Sequence, residues 1–209
     1  MTFAKGLEGI VAGQTAVAVI DEAGGGLRYR GYALDELCEH STFGEVAFLL
    51  LNGHLPSAAE VDAFRRQVKS LRALPAPLRA ILEQLPAQTN PMDVLRTGCS
   101  ALGCLEPEGP GRSQLDIAYR LLGALPSMLL YWHFFAAEGK RIDTSGGDDT
   151  TAGHVLHMLH GRAPDEFHRH ALDVSLILYA EHEFNASTFT ARTITSTLSD
   201  FYSAVTGAI

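Results

Sequence analysis

Six of the nine histidines fall between His154 and His182, and imidazole is the side chain best suited to donate, accept or ligate near neutral pH. His154, His157 and His160 stand at i, i+3 and i+6, which on a helix fans them across about 120°. A helical zinc pair uses i, i+4 with an acidic neighbour, and no HExxH occurs here. These three are expected to hold backbone carbonyls rather than a metal. His168 and His170 flank Arg169 next to Asp165 and Glu166, and solvent exposure is expected for both. Nucleophilic catalysis finds no support, because no GxSxG is present and Cys38, Cys99 and Cys104 carry no local signature. Gly24-Gly25-Gly26 is not followed by a helix-opening GxGxxG, so a phosphate loop is not indicated.

The stretch Leu178 to Thr188 (LYAEHEFNAST) holds the best chemistry. A long apolar helix there runs into Glu181, His182, Glu183 and Asn185, and Ser187 and Thr188 can cap the next helix. Such a junction gathers donors and acceptors beside buried walls. An imidazole in that place can donate to a carbonyl or carboxylate of a small substrate. An ordinary capped junction between two helices fits the same residues.

The elements that would position these groups read as helices. Thr42–Leu51 is short and apolar and ends at Asn52-Gly53, a helix stop. Ser57-Ala-Ala-Glu60 is a capping box ahead of Val61, Phe64, Val68 and Leu71, which share one helix face. Leu78, Ile81, Leu82 and Leu85 repeat that pattern up to Pro86, and Asn90-Pro91 opens a helix carrying Met92, Leu95, Cys99 and Leu102. Glu106–Gly111 is a loop, and Ser113 opens a helical stretch to about Gly139, expected to kink or break at Pro126. Helices are expected over 152–160, 165–181 and 188–207. Near the start, 15–20 and 27–32 form a β hairpin about the three glycines.

Composition sets the outer limits. The chain has 209 residues, 46% apolar and 19% charged, with a net charge of −8; that is enough for one core and far from disorder. The acidic balance offers no bulk attraction for nucleic acid or an anionic membrane. Three cysteines without a CxxC point to a reducing, cytoplasmic setting. Met1–Gly13 has no continuous apolar core for a secretory signal. Leu121–Ala137 is 17 residues without a charge, but a bilayer needs about 20 apolar residues, so it is expected to be a core helix.

LYAEHEFNASTFTAR (Leu178–Arg192) resembles the signature of the citrate synthase family, most closely its 2-methylcitrate branch. GLEGIVAGQTAVAVID (Gly6–Asp21), LRYRGYALDEL (Leu27–Leu37), FGEVAFLLLNGHLPS (Phe43–Ser57), PMDVLRTGCSALG (Pro91–Gly103), LLYWHFFAAEGKRI (Leu129–Ile142) and GHVLHMLHGRAPDE (Gly153–Glu166) are similar to further family segments, in family order. The resemblance implies a mainly α, multi-helical large domain with a small N-terminal β hairpin. Residues 1–209 would be the N-terminal portion of that domain. It implies a homodimer that condenses propanoyl-CoA or acetyl-CoA with oxaloacetate by Claisen chemistry. No cofactor or metal is implied, since coenzyme A enters as part of the substrate.

Matched residue by residue, His182 corresponds to the family's oxaloacetate-binding histidine and Asn185 lies in the same motif. Arg72, in SLRALP, matches a substrate-site arginine, and Arg30, in YRGY, is expected to be structural. No catalytic residue is expected within the chain. The family's HGGAN segment, its GYGH histidine, its catalytic aspartate and its carboxylate-binding arginines would lie beyond Ile209. The 209 residues alone are therefore expected to be inactive. A non-catalytic helical dimerisation or scaffold module is the rival reading.

Overall fold

The computed structural model describes residues 13–21 and 26–209. The hairpin forms. Strand β1 (Ala18–Asp21) pairs antiparallel with β2 (Gly26–Tyr29), with Ala18 opposite Tyr29 and Ile20 opposite Leu27. Most of its glycine turn, like most of the Met1–Gly13 segment, lies outside the described residues. A short third strand, β3 (Tyr32–Ala33), joins β2 in the order β1-β2-β3. Arg30 makes the turn between β2 and β3 with φ of 50°.

Helices α1 (Leu34–His40) and α2 (Phe43–Asn52) follow, then α3 (Ala58–Ser70) and α4 (Ala76–Leu82). The capping residues act as their types require. Thr42 and Ser57 each accept the amide three residues on, and Glu45 and Glu60 return the bond to the cap amide. Gly53 ends α2 in the left-handed region. Helix α4 stops at Leu82, short of the expected Leu85, whose amide instead bonds the Leu82 carbonyl in a turn.

Helix α5 (Pro91–Leu105) opens on Asn90, which accepts from the Met92 amide at 2.9 Å. Met92 itself is half exposed rather than on the core face; Val94, Cys99 and Leu102 make that face. Helix α6 (Gln114–Glu138) runs unbroken through Pro126. An internal proline costs a helix about 3 kcal/mol. Ile117, Leu121, Ala124, Met128, Tyr131 and Trp132 bury on both sides of it against α4 and α5, and that tertiary packing holds the helix together. No described helix is long and apolar enough to cross a membrane.

Helix α7 (Thr151–His160) and α8 (Glu166–Leu178) come next, the latter ending before the expected residue 181. The expected single helix over 188–207 is two: α9 (Ala186–Thr195) and α10 (Phe201–Ala208). Leu198 takes a left-handed φ of 63°, and Asp200 caps a new helix by accepting from the Ser203 amide at 3.0 Å. An aspartate three residues before a free amide is a start signal; the apolar pattern running across it hid the break.

Three packed groups result. The largest joins α4, α5, α6 and Tyr202 of α10. In a second, Phe48, Phe64 and Tyr119 meet edge to face at centroid distances of 5.7 and 5.0 Å. The third sets the site. Ala18, Tyr29, Leu37, Val46, Leu49 and Ile177 close the sheet onto α1, α2 and the last turn of α8.

Candidate functional site

The polar residues after α8 occupy a short irregular link, 179–185, between α8 and α9. His182 is exposed in that link and makes no hydrogen bond to any described residue. Its neighbours are held. The Tyr29 hydroxyl lies 3.0 Å from the carbonyl oxygens of both Ile177 and Glu181, and it accepts from the Glu181 amide at 3.3 Å. Tyr29 is fully buried, and burial pushes its phenol above its ordinary range, so it stays a neutral donor. On the other side, Glu183 adopts a left-handed φ of 65° and its Oε1 accepts from the Ile20 amide at 2.7 Å.

Asn185 is the N-cap of α9. Its Oδ1 accepts from the Thr188 amide at 2.9 Å, which leaves the amide nitrogen Nδ2 to donate to a ligand. Between these residues Phe184 carries the Arg192 guanidinium over its ring at 4.8 Å, a cation–π contact. Gly13 closes the link from the far side of the sequence. A Cβ there would stand 3.3 Å from both Phe184 and Arg192. The arrangement is one exposed imidazole and one amide donor on a turn whose backbone is fastened on both sides.

Arg72 is placed elsewhere. It is almost fully buried, and its guanidinium donates to the carbonyls of Asp148, Asp149 and Thr150. Its burial lowers its pKa, with the nearby Asp148 and Asp149 pulling the other way. A substrate carboxylate would have to displace those carbonyls to reach it. The structure thus brings His182 and Asn185 onto one turn and gives Arg72 to the loop before α7. Arg30 has the structural role expected of it, with its guanidinium donating to the Leu50 carbonyl at 2.9 Å and the Ala16 carbonyl at 3.5 Å.

The histidines of α7 divide by depth. His154 is buried, with Nδ1 3.1 Å from the Gly146 carbonyl and Nε2 3.5 Å from Ser127 Oγ. Burial first, and the Arg72 charge second, push it down to about 4, so it is neutral at physiological pH. His157 is half buried and His160 exposed. His168 and His170 are exposed, and His168 Nδ1 stands 2.8 Å from the Asp165 carboxylate. Tyr29 was not picked out from the sequence as a partner of the site; its only signal was its place in the stretch LRYRGY. Glu183 was read as part of the polar cluster, but its bond to the Ile20 amide had no local signal.

The comparisons with known proteins define the class to which this arrangement of helices belongs. The model of the family described as "Citrate synthase, C-terminal domain" matches residues 6–209, and the chain belongs to the citrate synthase family. Among its relatives, the 2-methylcitrate synthase of Shewanella oneidensis is 54% identical over 98% of this chain and 54% of its own length. The citrate/2-methylcitrate synthase of Bacillus subtilis is 37% identical over 99% of this chain and 56% of its own. The crystal structure of citrate synthase from Thermotoga maritima superposes with a TM-score of 0.85 at 32% identity, covering 99% of this chain and 55% of that one. A citrate synthase from Thermoplasma acidophilum, in ternary complex with carboxymethyl coenzyme A and oxaloacetate, gives 0.89 at 26% identity with the same coverage of 99% and 55%. The chain spans about half the length of the curated relatives it matches.

Proposed function

We propose that this chain supplies the oxaloacetate-binding turn of a 2-methylcitrate synthase. The observation that carries this is the exposed His182 imidazole beside the Asn185 amide, on a turn anchored at both ends. Oxaloacetate presents a ketone between two carboxylates. An imidazole N–H donating to the ketone oxygen draws charge from the carbonyl carbon and stabilises the alkoxide that forms when a carbon nucleophile attacks it. In the whole reaction the α-carbon of propanoyl-CoA loses a proton and bonds to that carbon. Water then cleaves the thioester, releasing 2-methylcitrate and coenzyme A. The preference for propanoyl-CoA over acetyl-CoA rests on the 2-methylcitrate resemblance of Leu178–Arg192 and on the 54% identity to the Shewanella enzyme.

The groups that enolise the acyl-CoA have no counterpart among the motifs matched in this sequence, so the 209 residues alone bind without turning over. The same reading carries a homodimer and a cytoplasmic setting, without nucleic-acid or membrane partners and with no cofactor besides the acyl-CoA itself. Phe167, Tyr179 and Leu198, exposed to 76%, 90% and 95%, are apolar surface that further protein would cover.

Two measurements test this. Release of free coenzyme A thiol from propanoyl-CoA, dependent on oxaloacetate and on the 209-residue chain alone, contradicts the inactivity. In a polypeptide carrying this sequence and the complete reaction, His182→Ala is expected to raise KM for oxaloacetate about tenfold, the loss of one hydrogen bond. An unchanged KM removes His182 from the site.

A further inference from the structure

A side chain on an irregular link between two helices samples many orientations unless the backbone on both sides is held. For His182 both anchors come from the small sheet, more than 150 positions away in sequence. The Tyr29 hydroxyl has one proton to give and lone pairs to offer. It spends the proton on the carbonyls of Ile177 and Glu181, at 3.0 Å each, and accepts the Glu181 amide, so it ties the last turn of α8 to the residue just before His182. A ring needed only to fill the core would be served by phenylalanine. Just after His182, Glu183 sits in a left-handed conformation that a non-glycine residue avoids. Its carboxylate, 2.7 Å from the Ile20 amide, holds it there. Ile20 and Tyr29 belong to the same pair of strands, so both anchors move as one piece.

We propose that Tyr29 and Glu183 are positioning residues through which the β1–β2 pair holds the His182 imidazole in its ligand-facing orientation. This rests on the substrate reading of His182 given above, and it concerns the geometry of the turn before ligand arrives.

The test uses the 209-residue chain with carbon-13-labelled histidine, combining peptide-resolved amide hydrogen exchange with the ring spectrum of His182. In Tyr29→Phe, exchange over 180–185 is expected to rise about tenfold, as when one intramolecular hydrogen bond is lost. The His182 ring signal moves toward its unfolded position, while peptides from α5 and α6 are unchanged. Glu183→Ala gives the same local response, and Glu183→Gln, whose amide oxygen still accepts from Ile20, restores most of the wild-type signal. Uniform acceleration across the molecule, or a His182 signal indifferent to both Tyr29→Phe and Glu183→Ala, overturns the proposal. If Tyr29→Phe does not fold, the half-buried Glu183 pair of variants decides alone. The substrate reading is judged separately. A wild-type His182 signal unmoved by oxaloacetate counts against that reading and leaves the response to Tyr29→Phe to stand or fall by itself.

Discussion

His154 Nδ1 stands 3.1 Å from the carbonyl oxygen of Gly146, and this bond ties the first turns of α7 to the loop that precedes it. The acceptor has no proton to give, so the imidazole donates through Nδ1; Nε2 faces Ser127 Oγ at 3.5 Å, and that hydroxyl donates to the Gly123 carbonyl at 3.4 Å. A second proton is opposed first by the burial of the ring and then by the Arg72 charge.

Stability should therefore depend on pH through His154. An unfolded histidine protonates near pH 6.5, whereas this one does so only near about 4. Between those values the unfolded chain binds more protons, so acid favours unfolding. The contribution is complete above about pH 6.5, falls as the pH drops, and levels off below about 4, with an upper bound of about 3 kcal/mol. Urea unfolding midpoints from pH 4 to 7 are expected to be flatter in His154→Gln than in the wild type. Parallel curves would exclude His154 as the source.

Arg72 is expected to matter for stability through its carbonyl partners. Arg72→Met keeps the buried stem but leaves the Asp148, Asp149 and Thr150 carbonyls without their donor, at a cost of about 2–4 kcal/mol. Arg72→Lys should recover less than half of that, because an ammonium is a point donor and cannot span three carbonyls as the planar fork does. Chemical denaturation of the three proteins checks it; full rescue by lysine would refute the geometry.

Two glycines predict opposite tolerance. A Cβ at Gly123 of α6 would lie 2.8 Å from the backbone carbonyl oxygen of Val68 and 3.3 Å from Leu71 backbone atoms in the next turn of chain. Backbone cannot swing aside, so Gly123→Ala should cost about 1–3 kcal/mol. At Gly98 of α5 the nearest atom is Met128 Sδ at 2.7 Å, part of a buried but unbranched side chain that can adjust its torsions where backbone cannot. The helix gains about 1 kcal/mol from alanine over glycine. Gly98→Ala should be close to neutral, and thermal melts of the two variants decide.

Thiol reactivity should follow burial. Cys104 is exposed, Cys38 half buried and Cys99 buried. Burial pushes the Cys38 and Cys99 thiols up, away from the reactive thiolate. Alkylation at neutral pH, read by mass spectrometry of peptides, is expected to label Cys104 first and Cys99 only once the chain unfolds. Early labelling of Cys99 would mean that the α5–α10 contact opens readily.

Much of the fold was legible because its signals are local. Thr42, Ser57, Asn90 and Ser113 cap helices by bonding amides two or three residues away, and such bonds need no knowledge of the rest of the chain. The polar cluster at 181–185 was legible on the same terms, but the cap was placed two to three positions late, at Ser187 and Thr188; Asn185 caps α9 and Thr188 supplies the amide it accepts. Leu85 and Met92 were misplaced because an apolar repeat shows a face but not where its helix ends or what covers it.

The sequence by itself determined the helical character, the starts of most helices, the hairpin and the residues of the candidate turn, since each follows from side chains within a few positions. The division of 188–207 at Leu198 has a local signal in the Asp200 cap, which the apolar pattern hid. Only the tertiary structure decided that α6 continues through Pro126. It alone gave Arg72 to the 148–150 loop, and it alone fastened His182 from Tyr29 and Ile20. Those outcomes depend on contacts between residues dozens to more than a hundred and fifty positions apart. Their energies outweigh local preference only once the chain has brought them together.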